Sequence, residues 1–165
     1  MKKKIALRIT SPEVFLLSLC GIGFIPKAPG TFGTLVTMPL IILMNMVDFP
    51  LFFVTPLYIS LVVITAFTIN YAQKKYSLQD PSWIVIDELL GVVLVAPFIL
   101  EVHWAHYLYV FVLFRIFDIT KIFPIGHIDR NIKSGIGVIL DDIIAGIMTL
   151  CVYRITFFIL TQIKV

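Results

Sequence analysis

The sequence predicts an all-α, multihelical integral membrane protein with about five spanning helices and a short amino-terminal interfacial or re-entrant helix. Three observations lead there. Of the 165 residues, 59% are hydrophobic and only 14% are charged, whereas a soluble domain carries roughly 45–50% apolar residues, glycine included, and about 25% charged ones. The mean hydropathy is +1.02. The apolar residues also fall into five stretches with short polar connections, each near the roughly 20 residues that cross about 30 Å of hydrocarbon. Such a composition excludes a disordered chain, a polar nucleic-acid-binding domain and a disulfide scaffold. Residues 1–165 read as one membrane domain. Cys20 and Cys151 lie in apolar runs without metal-ligand or redox spacing, so both read as small packing residues.

The amino terminus carries Lys2, Lys3, Lys4 and Arg8 ahead of an apolar stretch from Val14 to Ile25. A secretory signal begins this way, but no small-x-small cleavage site follows, and Leu17-Ser18-Leu19-Cys20 has a bulky leucine where a lipoprotein box takes Gly or Ala. Ser11-Pro12-Glu13 predicts a helix start, with Ser11 as cap and Pro12 in the first turn. Pro26-Lys27-Ala28-Pro29-Gly30 forces an irregular loop. The first span is then Thr31 to Val47, the second Leu51 to Asn70, the third Trp83 to Leu100, the fourth Trp104 to Phe123 and the fifth Ile136 to Ile163. The connections are Asp48-Phe49-Pro50, the polar segment Tyr71 to Ser82, Glu101-Val102-His103, and a polar loop from Pro124 to Gly135.

Cytoplasmic loops of membrane proteins are enriched in Lys and Arg. With the amino terminus inside, 10 of the 13 cations fall in cytoplasmic segments: Lys2, Lys3, Lys4, Arg8, Lys27, Lys74, Lys75, Lys121, Arg130 and Lys133. The outer connections around Asp48 and Glu101 hold none. This orientation requires that Val14–Ile25 does not itself span.

An ionisable group at the bilayer centre costs about 3 kcal/mol on insertion scales and is a functional candidate by default. The spans contain Asp87, Glu88, Arg115, Asp118, Asp141, Asp142 and Arg154. All but Arg154 fall at one depth near the cytoplasmic side. Arg115, Asp118 and Lys121 are three apart and form one helical stripe. Asp87 with Gly91, and Asp142 with Gly146, are each four apart, which puts a small residue one turn below each acid where a neighbouring helix can approach. Arg115 and Asp118 could be a purely structural pair. The acids as a group exceed the nearby in-span cations, however, and carboxylates packed together as anions repel. A divalent cation relieves this, and an all-oxygen set favours Mg²⁺ over zinc. His103 and His106 belong to the outer end and His127 to a loop, so they read as interfacial or loop histidines. Gly135-Ile136-Gly137 could offer backbone N–H groups to a phosphate at a helix start. Thr31 and Thr34 could touch phosphate or simply open the first span, and Asp129 is a weaker, loop-borne acid. A metal-binding acid cluster among cations at a membrane surface points to chemistry on a lipid phosphate ester.

Four blocks of sequence resemble the phosphatidylglycerophosphatase A family. They are Phe24-Ile25-Pro26-Lys27-Ala28-Pro29-Gly30-Thr31-Phe32-Gly33-Thr34, Asp87-Glu88-Leu89-Leu90-Gly91, Phe114 to Lys121 with Pro124-Ile125, and Gly135 to Asp142 with Ala145-Gly146. Ile122 stands where the family pattern usually has proline, and Phe123 replaces the usual neighbour, without removing a charged group. The resemblance implies a Mg²⁺-dependent lipid phosphatase of the bacterial inner (cytoplasmic) membrane, hydrolysing phosphatidylglycerophosphate to phosphatidylglycerol and inorganic phosphate.

On this reading Asp87, Glu88, Asp118, Asp141 and Asp142 hold Mg²⁺, directly or through water. Asp118, Asp141 and Asp142 are the catalytic acids, and Arg115, Lys121, Arg130, Lys27 and Thr31 bind the phosphate. One carboxylate would activate water; a covalent aspartyl-phosphate is the alternative. The expected partners are a phospholipid substrate and the membrane, with no nucleic acid. Two rivals stand beside it. A small cation transporter needs ionisable groups through the whole depth of the bilayer, and a non-catalytic membrane subunit needs acids paired one-to-one with cations.

Overall fold

The computed structural model describes residues 9–47, 50–78 and 81–163, without the side chain of Asp129. The amino-terminal cations Lys2, Lys3, Lys4 and Arg8, the turn residues Asp48 and Phe49, Asp80 and Lys164 lie outside the described residues. Among those described, every regular element is helical: α1 (Pro12–Leu17), α2 (Pro29–Val47), α3 (Leu51–Tyr76), α4 (Ile86–Val93), α5 (Trp104–Thr120), α6 (Ile125–Asn131) and α7 (Gly135–Ile163), with 3₁₀ turns at Ile22–Phe24 and Ala96–Phe98.

Three helices, α2, α3 and α7, are long and apolar enough to cross a membrane. The outward face of α3 is apolar in the way lipid demands: Phe52, Leu57 and Phe67 are each more than 70% exposed. The amino-terminal prediction holds in outline. Ser11 is the N-cap and Pro12 opens α1, although the Ser11 side chain makes no capping bond. At six residues, about 9 Å, α1 is far too short to cross. It docks on α3, where Lys75 Nζ meets Glu13 Oε1 at 2.6 Å and the Tyr76 hydroxyl donates to the same oxygen at 2.7 Å. The Lys75 hydrogen bond holds the Glu13 carboxyl below its ordinary range. The helix of the second predicted span runs on past Asn70 to Tyr76, into the segment read as a polar connection, and carries Lys74 and Lys75 in its last turn.

The predicted third span, Trp83 to Leu100, is not one helix. α4 has eight residues and then tightens: Val95 N–H bonds Val92 O and Phe98 N–H bonds Val95 O, both i→i−3. Pro97 is the cause, because it lacks the N–H that would return to Val93 and its ring crowds that carbonyl. The predicted fourth span also stops short. α5 ends at Thr120, where Lys121 adopts φ +45° and returns its N–H to Phe117 O. Part of the predicted loop after Pro124 is the short helix α6.

Helix α4 is the hub. Ile86, Leu90, Val92 and Val93 are buried, and its largest packing surface is with α7. Two glycines set that contact. A Cβ on Gly146 would collide with Gly91 O, and one on Gly91 would lie 2.5 Å from Asp142 O and 2.7 Å from Phe114. The close approach expected from the Asp87–Gly91 and Asp142–Gly146 spacings is thus present.

Polar groups inside the bundle occupy two layers. One contains Thr34, Asp87, Glu88, Arg115, Asp141 and Asp142. The other contains Asn45, whose Nδ2 donates to Tyr107 Oη at 3.2 Å, and His106, whose Nδ1 lies 2.5 Å from Tyr153 Oη. Tyr153 Oη also accepts the Leu100 N–H at 3.0 Å. Thr34 to Asn45 along α2, and Asp142 to Tyr153 along α7, each cover eleven residues, so the layers are about 16 Å apart. Between them lie Met38, Ile41, Val92, Val93 and Ala145, while the Thr37 and Thr149 hydroxyls bond back to their own helices.

Candidate metal and phosphate site

The loop before α2 begins the site. Lys27 and Ala28 both take left-handed backbone, φ +85° and +53°, at about 1–2 kcal/mol each for non-glycine residues. The two flanking prolines of the predicted irregular loop frame this path. It delivers Gly30 into the first turn of α2 against the acids: a Cβ there would collide with Glu88 Oε1 and sit 3.2 Å from Arg115 Nη1.

Asp87 and Glu88 occupy the first turn of α4, and Asp142 faces them across the glycine crossing. Carboxylate oxygens of Asp87, Glu88 and Asp142 lie within 4.8 Å of one another. Asp87 is 8% exposed and Asp142 4%. As three anions in so dry a place they repel strongly. Asp87 Oδ1 accepts the Glu88 N–H at 3.2 Å and Asp141 Oδ1 the Asp142 N–H at 3.1 Å, which fixes the rotamers of the acids.

The other two predicted acids are paired with cations, and Asp141 is as buried as Asp87. Asp118 Oδ2 is 2.7 Å from Arg115 Nη1, and Asp141 Oδ2 is 3.1 Å from Lys121 Nζ. Both carboxylates still act electrostatically on Asp142. Lys121 is aimed by its left-handed cap and by Gly126, whose N–H bonds Lys121 O at 3.1 Å. Arg130 is exposed on α6, Lys27 is exposed in its loop, and Thr31 is half-buried in the first turn of α2.

Thr34 is more deeply involved than its sequence suggested. It is fully buried, donates to Gly30 O at 3.0 Å and accepts from Arg115 Nη1 at 3.3 Å. Its spacing of four from Gly30 was the available signal. The glycines in the first turn of α7 do something other than present free N–H groups to an anion. Gly135 N–H bonds Asn70 Oδ1 at 2.8 Å and Gly137 N–H bonds Ser134 O at 2.8 Å, and a Cβ at Gly135 would strike Ala66 of α3.

Three buried polar atoms at this spot have no hydrogen-bond partner among the described residues: Glu88 Oε2, Asp142 Oδ1 and Arg115 Nε. Two are acceptors suited to a cation and one is a donor suited to an anion. The donor set around the acids is all oxygen, which fits a hard divalent ion such as Mg²⁺.

Fold and site together define an all-helical, membrane-type protein with a buried acidic centre rimmed by cations at one end of its bundle. The chain belongs to the phosphatidylglycerophosphatase A family, whose model matches residues 15–157. It is 32% identical over 151 residues to phosphatidylglycerophosphatase A of Escherichia coli strain K12, covering 88% of this chain and 84% of the relative. It is 33% identical to the Haemophilus influenzae protein of the same name, covering 91% and 90%. A Bacteroides thetaiotaomicron protein with the provisional name phosphatidylinositol-3-phosphatase is 36% identical over 140 residues, 77% of this chain and 82% of the relative. No solved structure matches the chain.

Proposed function

We propose that this protein hydrolyses phosphatidylglycerophosphate to phosphatidylglycerol and inorganic phosphate, at a Mg²⁺ site on the cytoplasmic face of the bacterial inner membrane. The observation that carries the reading is the set of three orphaned atoms, Glu88 Oε2, Asp142 Oδ1 and Arg115 Nε. A dication and a phosphate bound side by side would satisfy all of them. Buried polar groups without partners are uncommon, and these three lie together at the acids.

Asp87, Glu88 and Asp142 would hold the ion, with Asp118 and Asp141 reaching it through water. Bound there, Mg²⁺ would polarise the phosphoryl oxygens and neutralise their charge. Arg115 Nε and Lys121 Nζ would stabilise charge growing on the equatorial oxygens. Their ion pairs with Asp118 and Asp141 keep both cations in place before substrate arrives. One of Asp118, Asp141 and Asp142 would orient the attacking water and take its proton, while the bond from phosphorus to the glycerol oxygen breaks and that oxygen leaves as the alcohol with a proton drawn from this carboxyl or from water. Lys27, Thr31 and Arg130 complete the phosphate-binding surface.

The proposed orientation puts α1 at the interface and the acid layer inside. The exposed stripe Leu108, Val112, Ile116 and Ile119 supports α5 as a further lipid-facing element. The interrupted segment from α4 to Leu100 crosses within the bundle, giving about five passes. The apolar zone between the two polar layers, with its threonine hydroxyls bonded internally, argues against a transport path. The test is phosphate release from phosphatidylglycerophosphate micelles. EDTA should abolish it and Mg²⁺ restore it; full activity in EDTA would remove the metal from the account.

A further inference from the structure

Helices α2 and α3 are consecutive, yet they barely touch. Between them lies an apolar cleft of about 290 Å³, open on the lipid side past Leu40 and Leu57 and floored by Leu89 and Val93 of α4. Met44 and Leu61 line its flanks. Tyr58, which donates from its hydroxyl to Leu90 O at 3.1 Å, ties α3 to α4 at the back. The cleft is therefore a built gap with a fixed floor.

Its depth is informative. Leu89 follows Glu88 directly, and Val93 is five residues on, while Leu40 and Met44 are six and ten residues below Thr34. At 1.5 Å per residue the cleft runs from about 2 to about 15 Å beneath the acid layer. It starts where a headgroup at the acids would end, and it continues along the path an acyl chain takes into a bilayer.

We infer that this cleft binds one acyl chain of the phospholipid whose phosphate end sits at the acid cluster. The inference deepens the proposed function and rests on it. Size and place select the occupant. An apolar cavity of roughly 150 Å³ holds benzene, so 290 Å³ accommodates roughly a dozen chain carbons. Its place directly below the acid layer, on the path of a bound lipid's own chain, favours that chain over a partner helix or a second copy of this chain.

The experiment reconstitutes the full chain in vesicles of phosphatidylcholine doped with a phosphatidylglycerol that carries a diazirine in one acyl chain. Photolysis and peptide mapping then locate the adducts. Adducts should concentrate on Leu40, Met44 and Leu61 rather than on Phe158 and Ile159, which are more exposed and lie on α7. Leu57→Trp and Leu61→Trp, which fill the cleft, should each cut its labelling about tenfold, the scale of a 1–2 kcal/mol overpacking penalty. Ile64→Trp, on the lipid face of α3 outside the cleft, should not. Labelling spread evenly over the lipid-facing surface, or unchanged by both cleft variants, would overturn the inference. So would exclusion of the probe together with a dimer crosslinked through the cleft. Labelling needs no turnover: a labelled cleft without phosphate release would sink the enzymatic reading alone, and phosphate release with an unlabelled cleft would sink this one alone.

Discussion

Gly91→Ala puts the α4–α7 crossing under a measurable load. The added Cβ would lie 2.5 Å from Asp142 O and 2.7 Å from Phe114, where ordinary contact begins at 3.4 Å. The Phe114 ring can swing, but the Asp142 carbonyl is part of α7. Relief therefore requires α4 and α7 to part by about 0.9 Å, the difference between 3.4 and 2.5 Å. Overpacking of this kind costs about 1–3 kcal/mol of stability. The same displacement moves Asp87 and Glu88 away from Asp142, and an error near 1 Å in a reacting site costs about 10²-fold in rate. Phosphate release and thermal melting in detergent, measured on one preparation, should show a modest loss of stability beside a loss of activity approaching that factor. Phe114→Leu added to Gly91→Ala should not restore the rate, because the carbonyl contact persists. Activity within twofold of wild type in Gly91→Ala would refute the claim that this crossing sets the spacing of the acids.

Two further outcomes follow from the same geometry. In a background without Cys20 and Cys151, a thiol at Lys75 or Lys133 should react with an impermeant reagent only from the cytoplasmic side, and one at Glu101 only from outside; the reverse labelling would put the acid layer on the wrong face. Glu13 has its pKa lowered in the folded protein by Lys75, so its contribution is complete above the unfolded value near 4.5 and is lost as pH falls through the depressed folded value. Limited proteolysis should therefore release α1 more readily in Glu13→Gln than in wild type at neutral pH, with the difference vanishing in acid; equal protection at pH 7 would show that the Glu13–Lys75 pair does not hold α1.

The parts of the fold legible in the sequence were those that depend on one helix at a time. Hydropathy and length located α2, α3 and α7 because each is long and leaves an apolar face exposed along most of its length. The break in the third predicted span was not legible because α4 is buried on nearly all sides: its continuous apolar run hides the tightening that Pro97 imposes. Helix α6 was missed because seven residues rich in polar side chains carry no apolar period. At the site, spacing gave the shared depth of Asp87, Glu88, Asp118, Asp141 and Asp142. It did not give the division between three acids whose oxygens converge and two that are paired with cations. That division rests on Lys121 reaching Asp141 across two helices, which no single-helix pattern contains. The Gly91–Gly146 contact was legible because small residues one turn from each acid have a packing meaning. The α2–α3 cleft was not, since it depends on two neighbouring helices failing to pack.

The central claim is that Asp87, Glu88 and Asp142 hold a divalent cation for catalysis rather than brace the bundle. It is tested most directly by titrating Mn²⁺ into the purified protein, read by its electron paramagnetic resonance signal, alongside phosphate release and folded yield for wild type, Asp142→Asn, Asp141→Asn and Asp118→Asn. Each substitution is near-isosteric. Asp142→Asn removes a buried anion, which lowers the cost of insertion, so its yield should stay normal; Asp118→Asn and Asp141→Asn also remove the partners of Arg115 and Lys121, so their rates are taken per folded protein. A catalytic cation there requires weakened Mn²⁺ binding in Asp142→Asn and a loss of at least about 10²-fold in rate for each variant, equivalent to about 2.7 kcal/mol of transition-state stabilisation. Near wild-type activity in both Asp141→Asn and Asp142→Asn, with Mn²⁺ binding unchanged, would contradict it.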